Sequence, residues 1–251
     1  GIEDAGGVEL TDAQISALKA SPRVKTAYAE SEEKGVLDSA YSVLSVLYLV
    51  DDAVAESGLT AGLVDYYTRI ANTAFIKGGV NIVLNPVEAV RYQPRVDPGQ
   101  LSQALNDITC GDADCSLFGS INTTVDELRN QYRADLVVQL VAQGGANGLC
   151  GLAWTPPNQE VYDLRYYLTY SVNAVVNNSG TASCLSRVVA HEIGHNMTLL
   201  HDHAQHEPDR QPLYAGGRGY LMADGRATIM AYASSTSYRY SDPDADINGV
   251  R

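Results

Sequence analysis

The sequence predicts an α/β fold built on a mostly parallel sheet. Three observations predict it. Apolar runs rich in β-branched residues recur at 41–50, 80–90 and 134–141. A stretch with apolar residues at helical spacing separates the first two, and a helix-capping pattern precedes the third. Strands that alternate with helices in this way pair in parallel through right-handed crossovers. With 251 residues and 45% hydrophobic composition, the chain can bury one sizeable core, as a two-lobed unit or as two domains.

The elements follow in chain order. Thr11-Asp12-Ala13-Gln14 is a capping-box pattern that predicts a short helix over 11–20, stopped by Ser21-Pro22. Residues 28–38 are polar and read as a linker, so 1–38 stands as an N-terminal extension. Residues 41–50 read as a buried strand. Leu63, Tyr66, Tyr67, Ile70 and Ala74 give a helix over 60–77, closed by Gly78-Gly79. Residues 80–90 form a second strand. Thr124-Val125-Asp126-Glu127 opens a helix to about Arg133. Residues 134–141 are nearly all apolar, which suits a strand covered on both faces. Gly151–Trp154 is a short strand ended by Pro156-Pro157, and Tyr170–Val176 is a fifth.

Composition excludes several classes of function. A formal charge of −13 repels phosphate backbones and anionic lipid, so neither nucleic acid nor a membrane is an expected partner. The longest apolar stretch, 43–50, is far short of a bilayer span. Gly1-Ile2-Glu3-Asp4 shows no export signal, so any such signal is expected to have been removed or left out. The four Cys form no CxxC pair, and an even count suits two disulfides in an oxidising compartment. The expected pairs are Cys110–Cys115 and Cys150–Cys184; four buried free thiols are the alternative. Two disulfides leave no thiol to cap a metal.

All five His fall between 191 and 206. His191-Glu192-Ile193-Gly194-His195 is HExxH, and on a helix positions i and i+4 can present two imidazoles to one ion. His201 is the natural third ligand, provided the chain reverses after His195. Three protein ligands on tetrahedral zinc leave a fourth position for water, which is the catalytic arrangement. Glu192 lies beside the first ligand, where it suits a general base. The plain alternative is a helix with two surface His and an unrelated third.

The pattern resembles the metzincin clan of zinc metalloproteases, whose signature is HExxHxxGxxH followed by a Met-turn. Thr228-Ile229-Met230-Ala231-Tyr232 matches that turn, and Asp202 after the third His resembles the reprolysin branch. Arg133-Ala-Asp-Leu-Val-Val, Leu149-Cys-Gly-Leu-Ala, Ser183-Cys-Leu and Tyr240-Ser-Asp-Pro-Asp followed by Asn248-Gly-Val resemble the bacterial reprolysin-like group, which includes peptidyl-Asp metallopeptidases. The resemblance covers roughly 41–251. It implies a twisted, mostly parallel five-stranded sheet with an antiparallel edge strand, a backing helix, an active-site helix and a small lower subdomain holding the Met-turn. It also implies a catalytic domain over 39–251, upper over 39–200 and lower over 201–251, without the C-terminal helix that usually follows.

The function implied is that of a secreted, monomeric zinc endopeptidase acting on proteins or peptides. Glu192 would take a proton from water and return it to the leaving amine. Substrate would lie along Gly151, Leu152, Ala153 and Trp154, with Trp154 as either cleft wall or core aromatic. Met230 would floor the site and Asp202 would support it. Tyr232 resembles the Tyr that approaches zinc in astacins and serralysins; a core or pocket-wall Tyr is the alternative. Arg218 and Arg226 could line an S1′ pocket and favour acidic residues, or be surface cations. His203 and His206 read as loop residues. Asp242, Asp244 and Asp246 hint at Ca2+ as a second ion, and Asp112 and Asp114 do so more weakly. Sequons at Asn122, Asn177 and Asn196 offer glycosylation, though the last lies inside the zinc motif. An inactive precursor with 1–38 across the cleft, or a zinc-containing binding module without catalysis, are the competing functions. One departure bears on the site: Thr198 stands where the signature has Gly. A β-branched residue there is either strained at positive φ, at about 1–3 kcal/mol, or the turn takes another shape.

Overall fold

The structure is a computed structural model that describes residues 41–97, 100–111, 121–144, 149–155, 169–176, 184, 186–202, 217–232 and 235–241. The helix expected over 11–20 and the extension over 1–38 lie outside these residues.

The central strand β1, Ser42–Val50, is progressively buried along its length. Its alternation sends Val46, Tyr48 and Val50 into one core and Leu47 and Leu49 into the other. Asp51 follows, 2% exposed, and starts the short helix α1, Asp52–Glu56. One of its carboxylate oxygens accepts from the Val54 N–H (2.7 Å) and the other from the Ala142 N–H (2.8 Å). Helix α2, Thr60–Lys77, buries Leu63, Tyr67, Ala71, Ala74 and Phe75 and stops at Gly78; Gly79 makes the turn at φ 68°. Strand β2, Ile82–Arg91, lies parallel to β1 from the Ser42–Ile82 pair, with a register shift next to Pro86. Proline lacks the N–H that a central strand must donate, which suits this outermost position.

Two helices then cover the opposite face. Helix α3, Leu101–Cys110, buries Leu101, Ala104, Leu105 and Ile108. Helix α4, Thr123–Tyr132, is capped by Asn122 rather than opened at Thr124 as the sequence pattern suggested. The Asn122 side-chain Oδ1 accepts from the Val125 N–H (3.2 Å), while its side-chain amide donates to Tyr92 Oη (2.6 Å) and to the Asp107 carbonyl (2.7 Å). Tertiary bonds therefore chose the cap. Strand β3, Leu136–Gln143, is buried over its first six residues, as a doubly covered strand should be.

Strand β4, Gly151–Ala153, and strand β5, Tyr170–Val176, complete the sheet in the order β2-β1-β3-β5-β4. All pairings are parallel except β4 with β5, which is antiparallel and places β4 at the edge. This is the five-stranded, mostly parallel sheet with one antiparallel edge strand that the sequence led us to expect. The helix α5, Val188–Asn196, packs with α2 on one face of the sheet. Cys150 and Cys184 are disulfide-bonded, which ties the residue before β4 to the segment leading into α5. Cys110 is also disulfide-bonded, and Cys115, its expected partner, lies outside the described residues. No helix among the described residues is long and apolar enough to cross a membrane.

Candidate metal centre

Helix α5 carries two of the three histidines. Val188, Val189, Ala190 and Ile193 are buried, and His191 and His195 stand one turn apart. The helix then stops in two bonds that close its last turn. The Leu199 N–H donates to the Gly194 carbonyl (2.9 Å) and the Thr198 N–H to the His195 carbonyl (2.9 Å). This is a Schellman stop, with Thr198 in the left-handed position at φ 70°. Of the two outcomes open for Thr198, the structure shows the strained one. Its hydroxyl is buried without a partner. The reversal returns His201 towards the helix, and its Nε2 lies 2.9 Å from His191 Nε2 and 3.0 Å from His195 Nε2.

The donor set fits a cation. His191 Nδ1 faces the Ile229 carbonyl at 2.9 Å, and His195 Nδ1 faces the Leu199 carbonyl at 2.9 Å. A carbonyl only accepts, so both Nδ1 atoms carry the proton and both Nε2 atoms present lone pairs towards His201. Lone pairs this close repel unless a positive charge lies between them, and a carbonyl on the far nitrogen is the usual support for a ligating His. Burial holds His191 well below the ordinary imidazole range, with the other two imidazoles adding to this, so the ring stays neutral as a ligand must. Among the described residues these three are the one group of His, Cys, Asp or Glu placed to share an ion.

Glu192 is 5% exposed and lines the same cavity of about 250 Å³. Burial pushes its carboxyl up to about 8 in the metal-free chain. The cavity is bounded on one side by Gly151, Leu152 and Ala153 of β4 and on the other by the histidines, Arg218 and Tyr232. Tyr232 Oη lies 2.8 Å from His201 Nε2, and burial, then the Glu192 charge, raises its hydroxyl above the usual range.

Met230 is 1% exposed and sits under α5. A Cβ on Gly194 would strike its sulfur, and one on Gly219 would come within 2.6 Å of the Met230 carbonyl oxygen. Both glycines are therefore needed for the methionine to lie where it does. The neighbouring Ile229 peptide is pinned by its N–H, which donates to the Arg239 carbonyl (2.8 Å) while the Ile229 carbonyl orients His191. Tyr240 Oη donates to the Ala190 carbonyl (2.6 Å). Sequence reasoning missed the roles of Ile229 and Leu199, because backbone carbonyls leave no side-chain signal.

Several candidates stand elsewhere. The Trp154 indole turns away from the cavity and donates to Thr109 Oγ1 (2.8 Å), so the cleft-wall expectation gives way to the core one. Its carbonyl accepts from the Asn196 amide (2.9 Å), which also donates to the Tyr170 carbonyl (3.1 Å). Asn196 and Asn122 are 6% and 3% exposed with their amides engaged, so neither sequon is presented in the fold. Arg226 pairs with Asp224 (2.7 Å) and does not line the cavity, whereas Arg218 does. Asp202 is buried. His203, His206, Asn177 and the aspartates at 112, 114, 242, 244 and 246 lie outside the described residues, so nothing supports calcium there.

Comparison with known proteins agrees with this geometry. A curated peptidyl-Asp metalloendopeptidase of Pseudomonas aeruginosa is 30% identical over 190 residues, covering 66% of this chain and 27% of the relative's own length. A solved structure of a chaperone–substrate complex matches with a TM-score of 0.61 at 20% identity, over 84% of this chain and 30% of that one, a likeness of fold alone. A family model described as Metallo-peptidase family M12, of the reprolysin type, matches residues 45–242. That span takes in all but the first three residues of the sheet, the histidine cluster and the Met230 turn, and the chain belongs to metallo-peptidase family M12.

Proposed function

We propose that this chain is a zinc-dependent endopeptidase of the metzincin type. The convergence of three imidazole Nε2 atoms beside a buried carboxylate in one cavity carries that proposal. His191, His195 and His201 would hold the ion; the family membership and an all-nitrogen donor set of three support zinc. When bound, zinc supplies acidified water and a Lewis acid for the scissile carbonyl.

The chain's own residues do the rest. Glu192 accepts the proton of the attacking water and delivers it to the leaving amine. Strand β4 ends the sheet and lines the cavity, so its outer edge can pair with an extended peptide. The Tyr232 hydroxyl would donate to the oxygen on which negative charge develops; its distance of 2.8 Å from His201 Nε2 supports that role. Arg218 gives the cavity a cationic wall, which favours an acidic side chain next to the scissile bond. The name of the Pseudomonas relative supports that preference. The Cys150–Cys184 disulfide supports export to an oxidising compartment.

The test compares wild type, Glu192→Ala and His201→Ala on casein and on peptides with and without Asp, together with zinc content. Expected are activity in wild type only, zinc retained in Glu192→Ala, and zinc lost in His201→Ala. Zinc-loaded wild type without activity would point instead to a binding module, or to a precursor if removal of 1–38 restores cleavage.

A further inference from the structure

We infer that Gly151 is a positioning residue that seats the carboxylate of Glu192, so that the edge strand sets the place of the base as well as that of the substrate. The inference rests on Glu192 being the general base. Gly151 pairs with Asn173 across the antiparallel β4–β5 ladder. A Cβ added to Gly151 would point at α5. It would strike Glu192 Oε1 and come within 2.7 Å of Glu192 Cγ and of Val188 Cγ2. The base therefore lies directly against the strand backbone, in a space that any side chain would fill.

What would yield to such a side chain is decided by how β4 and α5 are fixed to each other. At one end, the Cys150–Cys184 disulfide ties the residue before β4 to the segment leading into α5, and the Ala174 N–H, donating to the Cys150 carbonyl (2.7 Å), holds that residue against β5. At the other end, Asn196 donates to the carbonyls of Trp154 and Tyr170. Gly151 and Glu192 face each other between these two ties, so strand and helix cannot part freely. The groups that must yield are the Glu192 side chain, from Cγ outward, and the Val188 methyl beside it. His191 and His195 are held by their own carbonyl partners, Ile229 and Leu199, neither of which belongs to β4. Displacing the base should therefore leave the three imidazoles in place.

The experiment is Gly151→Ala in the zinc-loaded chain. Expected are zinc affinity within about threefold of wild type by chelator competition, a little-changed KM, and a fall in kcat of about 10²-fold or more, the usual scale for a misplaced general base. A crystal structure of zinc-loaded Gly151→Ala gives a readout that does not depend on activity: the Glu192 carboxylate should be displaced by about 1 Å with the imidazoles unmoved. A carboxylate still in place overturns the inference, as does a kcat within threefold of wild type. Loss of zinc in step with loss of activity also overturns it, because Gly151 would then be a general structural residue. A zinc-loaded chain that cleaves nothing even after removal of 1–38 would refute the peptidase proposal, while the position of the carboxylate would still decide this one.

Discussion

Replacing Thr198 by Gly should make the protein more stable, and the size of the gain follows from the turn. Thr198 sits at φ 70°, where an L-residue with a Cβ pays about 1–2 kcal/mol. Its Oγ1 is buried without a hydrogen-bond partner, at a cost of about 1 kcal/mol or more. Glycine removes both penalties. Against this, it adds about 0.5–1 kcal/mol of unfolded-state entropy, and it gives up part of the methyl burial, at most about 0.8 kcal/mol. The balance is a gain of about 1 kcal/mol, or roughly 2–4 °C in Tm for a domain of this size. Thr198→Ala separates the terms, since it removes the hydroxyl but keeps the Cβ, so it should lie about 1 kcal/mol below Thr198→Gly. Urea unfolding of the metal-free proteins measures both. A Gly variant less stable than the Ala variant by about 0.5–1 kcal/mol, the entropy cost of glycine alone, would show that the left-handed turn carries no strain.

Two further outcomes follow from the site. Tyr232→Phe should lower kcat by about 10²-fold with KM and zinc affinity little changed, the scale of losing one donor to a developing oxyanion; steady-state kinetics on a peptide checks this, and an unchanged kcat removes Tyr232 from the chemistry. In the metal-free chain, burial raises the Glu192 carboxyl to about 8, well above the ordinary glutamate range, so the folded state keeps a proton that the unfolded state gives up across that window. The stability tied to that proton is full below the ordinary range and is lost as pH rises through the raised value. Glu192→Gln cannot ionise, so its advantage over wild type should grow by about 3 kcal/mol from pH 5 to pH 7.5 in urea unfolding; an advantage constant across pH would contradict this.

Much of the fold was legible because its elements announce themselves locally. The strands at 42–50, 82–91, 136–143 and 170–176 are short apolar runs, and α2 shows the apolar spacing of a helix closed by Gly78-Gly79. Helix α1 was not legible: five residues are too few to show a period. Helix α3 has its apolar residues at 101, 104, 105 and 108, a helical spacing, but no capping pattern marks its start, since Gln100 makes no side-chain cap bond. The start of α4 was misplaced because Asn122 is chosen as cap by partners at Tyr92 and Asp107, far away in sequence.

For the site, the sequence by itself determined which side chains could meet. HExxH on a helix puts His191 and His195 on one face by geometry alone, and the spacing to His201 nominates a third imidazole. Tertiary structure decided the rest, because it depends on contacts between distant residues. Only the fold shows that Thr198 turns the chain at the expense of strain. Only the fold shows that the orienting partners of two histidines are main-chain carbonyls, which every residue has and no sequence pattern marks. Trp154 and Arg226 look as eligible for a cleft as Gly151 and Arg218 do, until packing turns the first pair away from the cavity and the second pair towards it. A residue type carries its chemistry in the sequence, but the direction in which it points is set by the neighbours that folding brings to it.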